Sequence, residues 1–163
     1  MATRMIRQPG LLLISSVLVL SGCIDPIESP PCTATTLTQA SLSGDTITLN
    51  TGLRYIEGAP GEGRAAEFCR SLATHYTGYL LDGTRLESSH DFDQPLIFTP
   101  GLGDLIDGFE QGVIGMRTAG SRRLIVPPHL AYGAQEQRNS AGEIVVPANS
   151  TLVYDLEIVA ISQ

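Results

Sequence analysis

The most regular pattern in the chain is its last one. From Leu152 to Ile161, the apolar Leu152, Tyr154, Leu156 and Ile158 fall at alternate positions, with Asp155 and Glu157 between them. A period of two puts the first set on one side of a β-strand and the second on the other. The sheet then has one buried and one wet face, as antiparallel sheets do. Shorter stretches at 46–49, 53–56, 85–87, 95–98 and 122–126 predict further strands. A longer one at 71–81 has Leu72, Thr74 and Tyr76 on one side and Ala73, His75 and Thr77 on the other. Asp82-Gly83 signals a hairpin turn, because glycine takes a positive φ at little steric cost. Residues 58–63 predict a loop, and Ala119-Gly120 a turn. One segment changes period. Leu105, Ile106, Phe109, Val113 and Ile114 recur near helical spacing, which predicts a short helix over 107–115 capped by Asp104 or Asp107. At least five strands and one helix predict an α+β fold, a twisted antiparallel sheet curled around one short helix.

The N-terminus follows a different pattern. Arg4 and Arg7 precede an apolar run over 11–20, broken only by Ser15 and Ser16 and ending in Leu20-Ser21-Gly22-Cys23. The run is short for a membrane span, and its layout is that of a cleaved export signal over 1–22. Leu-Ser-Gly-Cys resembles the bacterial lipobox. That resemblance implies diacylglyceryl attachment at Cys23, cleavage before it, and acylation (palmitate-type) of the new amine; two or more chains anchor stably where one does not. The alternative is an ordinary secretory signal with a chance cysteine. No second long apolar run follows, which excludes a polytopic helical membrane protein. Residues 23–44 read as the lipidated cysteine and a Pro/Ser/Thr-rich tether, and 45–163 as one folded domain. Ile24 follows Cys23, so there is no aspartate at that position to signal inner-membrane retention. The expectation is a bacterial cell-envelope lipoprotein, on the outer membrane facing the periplasm.

Charge and cysteine content sharpen this picture. The chain has 10 basic residues, all arginine, against 17 acidic ones, a net charge of −7. Loss of Arg4 and Arg7 leaves 8 against 17, or −9. Such a balance argues against a nucleic-acid partner and against electrostatic attachment to anionic lipid, so the lipid itself would be the anchor. Of 3 cysteines, lipidation of Cys23 leaves Cys32 and Cys69. In an oxidising compartment such a pair tends to close into a disulfide; two free thiols are the alternative.

The usual catalytic constellations are missing. His75, His90 and His129 are widely spaced with no partner at metal-ligand spacing, and no HExxH, paired CxxC, GxGxxG, P-loop or GxSxG motif occurs. The expectation is chemistry without a metal, a cofactor or a covalent nucleophile. What remains are aromatics near turns and strand ends: Tyr76, Phe98, Phe109, Tyr132 and Tyr154. They line a shallow apolar pocket or simply fill the core.

Segment order bears on that choice. His75-Tyr76-Thr77-Gly78, Asp82-Gly83-Thr84, Leu86-Glu87-Ser88-Ser89, Pro95-Leu96-Ile97-Phe98, the stretch from Leu105 to Gly112, Met116, Ala131-Tyr132-Gly133, and Val146-Pro147 through Thr151-Leu152-Val153-Tyr154-Asp155 occur in that order. Together they resemble the FKBP-type peptidyl-prolyl cis/trans isomerases over about residues 50–161. The resemblance implies a substrate-proline pocket of Tyr76, Leu86, Leu96, Phe98, Leu105, Ile106, Phe109, Tyr132 and Tyr154. It also implies hydrogen-bonding roles for the Ile106 and Val146 N–H groups and the Tyr132 hydroxyl. Phe109 stands where the family usually has tryptophan, Leu86 where it has phenylalanine, and Glu87 where it has aspartate. The segment 134–144 is longer and more polar than in compact members, and is expected to overhang the pocket. Implied partners are proline-containing polypeptides, a membrane through the lipid, and macrolide inhibitors. Three functions stay open on sequence alone: a tethered isomerase for exported chains, a non-catalytic peptide-binding or chaperone module of the same fold, and a structural envelope lipoprotein.

Overall fold

The computed structural model describes Cys32, residues 39–43 and residues 45–162. The expected export signal, Cys23 and most of the expected tether lie outside the described residues. In chain order the strands are β1 (Gln39–Ser43), β2 (Thr46–Leu49), β3 (Arg54–Glu57), β4 (Glu62–Ala65), β5 (Leu72–Leu80), β6 (Arg85–Ser88) and β7 (Leu96–Phe98), then, after helix α1 (Asp107–Val113), β8 (Arg117–Thr118), β9 (Ser121–Val126), β10 (Gln137–Arg138), β11 (Ile144–Val146) and β12 (Leu152–Ile161).

The main sheet runs β1-β2-β3-β9-β12-β5-β6, with β7 also paired to β5, and every pairing is antiparallel. This is the α+β arrangement that the patterning predicts. β12 lies between β9 and β5, and the register sets Tyr154 against both Leu124 and Gly78. Its alternation is read out directly: Leu152, Tyr154, Leu156 and Ile158 are buried, and Glu157 is exposed. Leu53, Val113, Leu124, Val126, Leu152 and Ile158 are wholly buried at the centre of the core.

α1 lies close against β9, and its sequence makes that approach possible. A Cβ added at Gly108 would collide with Val126, and one added at Gly112 with Leu124. Arg122 of β9 fastens the helix from below. Its side chain is only 5% exposed and donates to the carbonyls of Gly112 (2.6 Å) and Ile114 (3.0 Å). It also pairs with both carboxylate oxygens of Glu57 (3.2 and 2.5 Å) and stacks on Tyr55, 4.2 Å from the ring centroid. A buried guanidinium needs all of these partners, since an unpaired one would cost several kcal/mol.

Several sequence expectations are modified. The helix is capped neither by Asp104 nor by Asp107: Ile106 is the cap residue and makes no side-chain bond. Residues 39–43, expected to end the tether, form β1, paired with β2. That segment alternates Ala40 and Leu42 with polar residues, but it is short and follows a Pro/Ser/Thr-rich stretch, which hides it; pairing with the neighbouring edge makes it a strand. β8 and β10, two residues each, are too short to show a period; β4 starts inside the stretch expected as a loop, and β11 at the end of the polar segment 134–144. β4 pairs with β8, and β10 with β11, as two small separate sheets. Cys32 and Cys69 are joined in a disulfide, with Cα atoms 5.6 Å apart, as one of the two cysteine readings expects.

Candidate functional site

A cavity of about 320 Å³ opens at one end of α1. Each wall comes from a different element. β5 contributes Tyr76, β6 Glu87, β7 Leu96, α1 Phe109 and β12 Tyr154; the remaining wall is Gly103 to Ile106 and Tyr132. At the floor, Phe109 meets three rings nearly edge-on: Tyr76 at 5.7 Å between centroids, Phe98 at 5.5 Å and Tyr154 at 5.3 Å. Edge-to-face contacts suit the ring quadrupoles and hold the cluster in one arrangement. Gly78 makes room for it. An added Cβ there would lie 2.9 Å from the Tyr154 ring, so the glycine after Tyr76 and Thr77 is required by close packing.

The local chain explains how each group is held. Ser89 Oγ accepts the Tyr76 N–H at 2.9 Å, and Ser88 Oγ donates to the Tyr76 carbonyl at 2.9 Å. The Ser-Ser pair that ends β6 thus clamps the cavity tyrosine of β5. Leu105 and Ile106 are positioned by Glu110, one residue beyond Phe109. Its buried carboxylate accepts the N–H groups of Gly101 (2.7 Å) and Leu105 (3.1 Å) and straps the loop to the helix. Tyr132 follows a 3-10 turn at Pro128–Leu130, and the next N–H, that of Gly133, returns to the Pro128 carbonyl at 2.8 Å.

The three cavity phenols are all raised above the ordinary tyrosine value. Tyr76 is pushed up to about 12, first by burial and then by the Glu87 charge and a hydrogen bond to that carboxylate. Burial leads for Tyr132 also, followed by Glu87. Tyr154 is raised furthest, by burial, then Tyr132, Glu87 and Tyr76. At neutral pH the site therefore presents neutral hydroxyl donors on an apolar wall, with one carboxylate that all three rings sense.

Of the residues expected from sequence, Tyr76, Glu87, Leu96, Leu105, Ile106, Phe109, Tyr132 and Tyr154 come together on this one cavity. Phe98 does not line it; the ring is 5% exposed and backs Phe109 from behind. Leu86 packs against the core, half-buried. Val146 is buried in β11 opposite Gln137, outside the lining. The segment 134–144, expected over the pocket, forms the arm and turn of the β10–β11 hairpin and contributes no lining residue. Residues that sequence reasoning missed are Gly103 and Asp104 in the wall and Ser88, Ser89 and Glu110 as supports. All three supports stood within quoted motifs, but nothing there gave them a role: a helical glutamate such as Glu110 reads as solvent-facing. The fold also brings together two histidines that the sequence keeps apart: the His75 and His90 rings stack at 4.4 Å, and His75 Nδ1 lies 2.9 Å from Ser89 Oγ. Among the described residues, no cluster of three or more His, Cys, Asp or Glu could hold a metal ion.

Comparison with known proteins bears on this site. The sequence profile described as FKBP-type peptidyl-prolyl cis-trans isomerase matches residues 63–159. The FK506-binding protein of Neisseria meningitidis (serogroup A) is 38% identical over 101 residues, covering 62% of this chain and 88% of that one. FK506-binding protein 2B of Rhizopus delemar is 44% identical over 91 residues, covering 55% of this chain; the match spans only 41% of that relative's length. Among solved structures, AtFKBP13 superposes with a TM-score of 0.64 at 32% identity, covering 69% of this chain and 95% of that one.

Proposed function

The chain belongs to the FKBP-type peptidyl-prolyl cis-trans isomerase family, and from that premise we propose that it catalyses rotation about Xaa-Pro bonds of exported polypeptides while tethered to a membrane by lipid at Cys23. The observation that carries the catalytic part is the aromatic cavity built on Phe109, with the Tyr76, Tyr132 and Tyr154 hydroxyls at its wall. Rotation about a prolyl bond is slow because the planar amide must lose its resonance, against a barrier of roughly 18–20 kcal/mol. The twisted amide has a weaker carbonyl dipole than the planar one, and water favours the planar form. Phe109 and Tyr154, 3% and 4% exposed, offer that bond a dry aromatic surface instead, which favours the twisted state selectively. The Ile106 N–H and the Tyr132 hydroxyl hold the peptide on either side of the bond. No proton moves, in keeping with phenols that stay neutral at physiological pH. The relatives' name suggests that FK506-type macrolides compete for the same cavity.

Two experiments test the proposal. The purified protein should accelerate cis/trans exchange of a short Xaa-Pro peptide, measured by magnetisation transfer. Tyr132→Phe should lower kcat/KM about fivefold, as expected for one hydrogen bond. Binding of the peptide without acceleration would replace the enzyme with a chaperone-like module. The lipid anchor, the periplasmic outer-membrane site and the folding clients rest on the sequence of residues 1–24. Mass spectrometry of the membrane-extracted protein should find a diacylglyceryl group on Cys23; an unmodified N-terminus would remove the anchor from the proposal.

A further inference from the structure

The wall of the cavity carries charge of one sign. Among its described lining residues, the charged ones are Glu87 on β6 and Asp104 in the loop before α1; no arginine or histidine joins them. Both side chains are exposed, and neither takes part in an ion pair. Arg85, two residues from Glu87, is engaged elsewhere: it donates to Asp91 at 2.6 Å. The register break in the β5–β6 pairing falls between the Gly78–Glu87 and Tyr79–Arg85 partners, so Glu87 sits opposite the inward-facing Gly78. Asp107 adds a third exposed carboxylate, next to the lining residue Ile106. Glu110 adds none at the mouth, since its oxygens are used by the Gly101 and Leu105 N–H groups. Glu87 is held by the Tyr76 hydroxyl, which leaves its charge in place, so a peptide seated against Phe109 must bring its flanking side chains past carboxylates that have no cationic partner.

We infer that this cavity selects prolyl bonds flanked by cationic residues and disfavours those flanked by acidic ones, with Glu87 and Asp104 as the specificity-determining groups. The inference rests on the isomerase reading above and adds a substrate class to it. Two attractive half-exposed pairs set against two repulsive ones separate lysine-flanked from glutamate-flanked substrates by about five- to twentyfold. The interaction is screened, so the separation shrinks as salt rises. Such a preference suits a chain of net charge −7, which as a whole attracts basic polypeptides and repels acidic ones.

The test uses three end-blocked peptides that differ only in the residue before proline: lysine, leucine or glutamate. For each, kcat/KM is measured by exchange and Kd by titration, in the full-length protein at about 0.02 M and about 0.5 M salt, between which the screening length falls several-fold. The expected result is the order lysine, leucine, glutamate at low salt, compressed at high salt. The Glu87→Gln/Asp104→Asn double variant should compress the same ratio at low salt. Equal values for lysine and glutamate peptides at low salt would overturn the inference, as would a ratio that survives both substitutions. The salt series on the unaltered protein decides the matter even where the variant does not fold. Failure of the isomerase reading looks different: no peptide is accelerated, while the order of the three Kd values still tests the charge selection.

Discussion

Truncating Phe109 would remove the ring that Tyr76, Phe98 and Tyr154 all meet edge-on, and with it the cavity floor. Phe109→Ala should cost about 3–5 kcal/mol in denaturant unfolding, the range for buried phenylalanine, and lower kcat/KM at least tenfold in the exchange assay. A loss of stability with unchanged kcat/KM would place Phe109 in the core alone. The phenols allow a second check at the same scale. Tyr76 is held protonated up to about 12, whereas a tyrosine of the unfolded chain loses its proton near 10. The folded state binds this proton more tightly, so its contribution to stability is complete below about pH 10 and is lost as pH rises towards about 12. Unfolding free energies measured across that interval should fall with pH, and the phenolate absorbance of Tyr76 should lag that of the denatured protein.

At the scale of elements, the cavity depends on how closely α1 approaches β9. Gly112 permits the contact with the wholly buried Leu124, and its carbonyl accepts from Arg122. Gly112→Ala should destabilise the protein by about 1–3 kcal/mol through overpacking, although alanine is the better helix former. A stabilised variant in thermal melts would show that the interface yields. Strands were legible where a period of two persisted, as in β5 and β12, or where a short apolar run stood out, as in β9. They were illegible in β8 and β10, two residues each, and in β4 and β11, which adjoin stretches that read as loop; these owe their conformation to the chain they pair with. The missed cap has a similar origin. Aspartates near a helix start suggest side-chain capping, but here the Phe109 and Glu110 N–H groups go to the Ile106 carbonyl, at 2.9 and 3.2 Å, and the chain around Ile106 is held by the fold.

For the whole molecule, the Cys32–Cys69 disulfide joins the segment ahead of β1 to the loop before β5. Cys69 N–H in turn donates to the Pro100 carbonyl at 2.9 Å, at the start of the loop that reaches the cavity. Loop-closure entropy for this spacing sets a ceiling of about 4 kcal/mol on what the bond contributes. Reduction, or Cys32→Ser, should lower the unfolding free energy by up to that amount without moving the midpoint of the tyrosine titration. An unchanged unfolding curve would mean that the bond constrains little. The bond also limits reach. Cys32 lies nine positions after Cys23, a reach of no more than about 32 Å when fully extended. With lipid on Cys23, that length bounds how far the disulfide can stand from the bilayer.

Sequence by itself determined the things that are local or ordered along the chain. These are the alternation that makes β12 a one-sided strand, the helical spacing around Phe109, and the motif order that named most of the cavity wall. Tertiary structure alone decided which aromatics face the cavity and which stand behind it. Phe98 and Leu96 lie two residues apart on one strand, yet one is core and the other lining. It also decided that Val146 is buried in a hairpin, that the His75 and His90 rings stack, and that the carboxylates of Glu87 and Asp104 meet at the same opening with no cationic partner. The physical reason is that period and propensity act between near neighbours, whereas burial, ring geometry and charge pairing depend on residues that meet only after the sheet has curled around the helix.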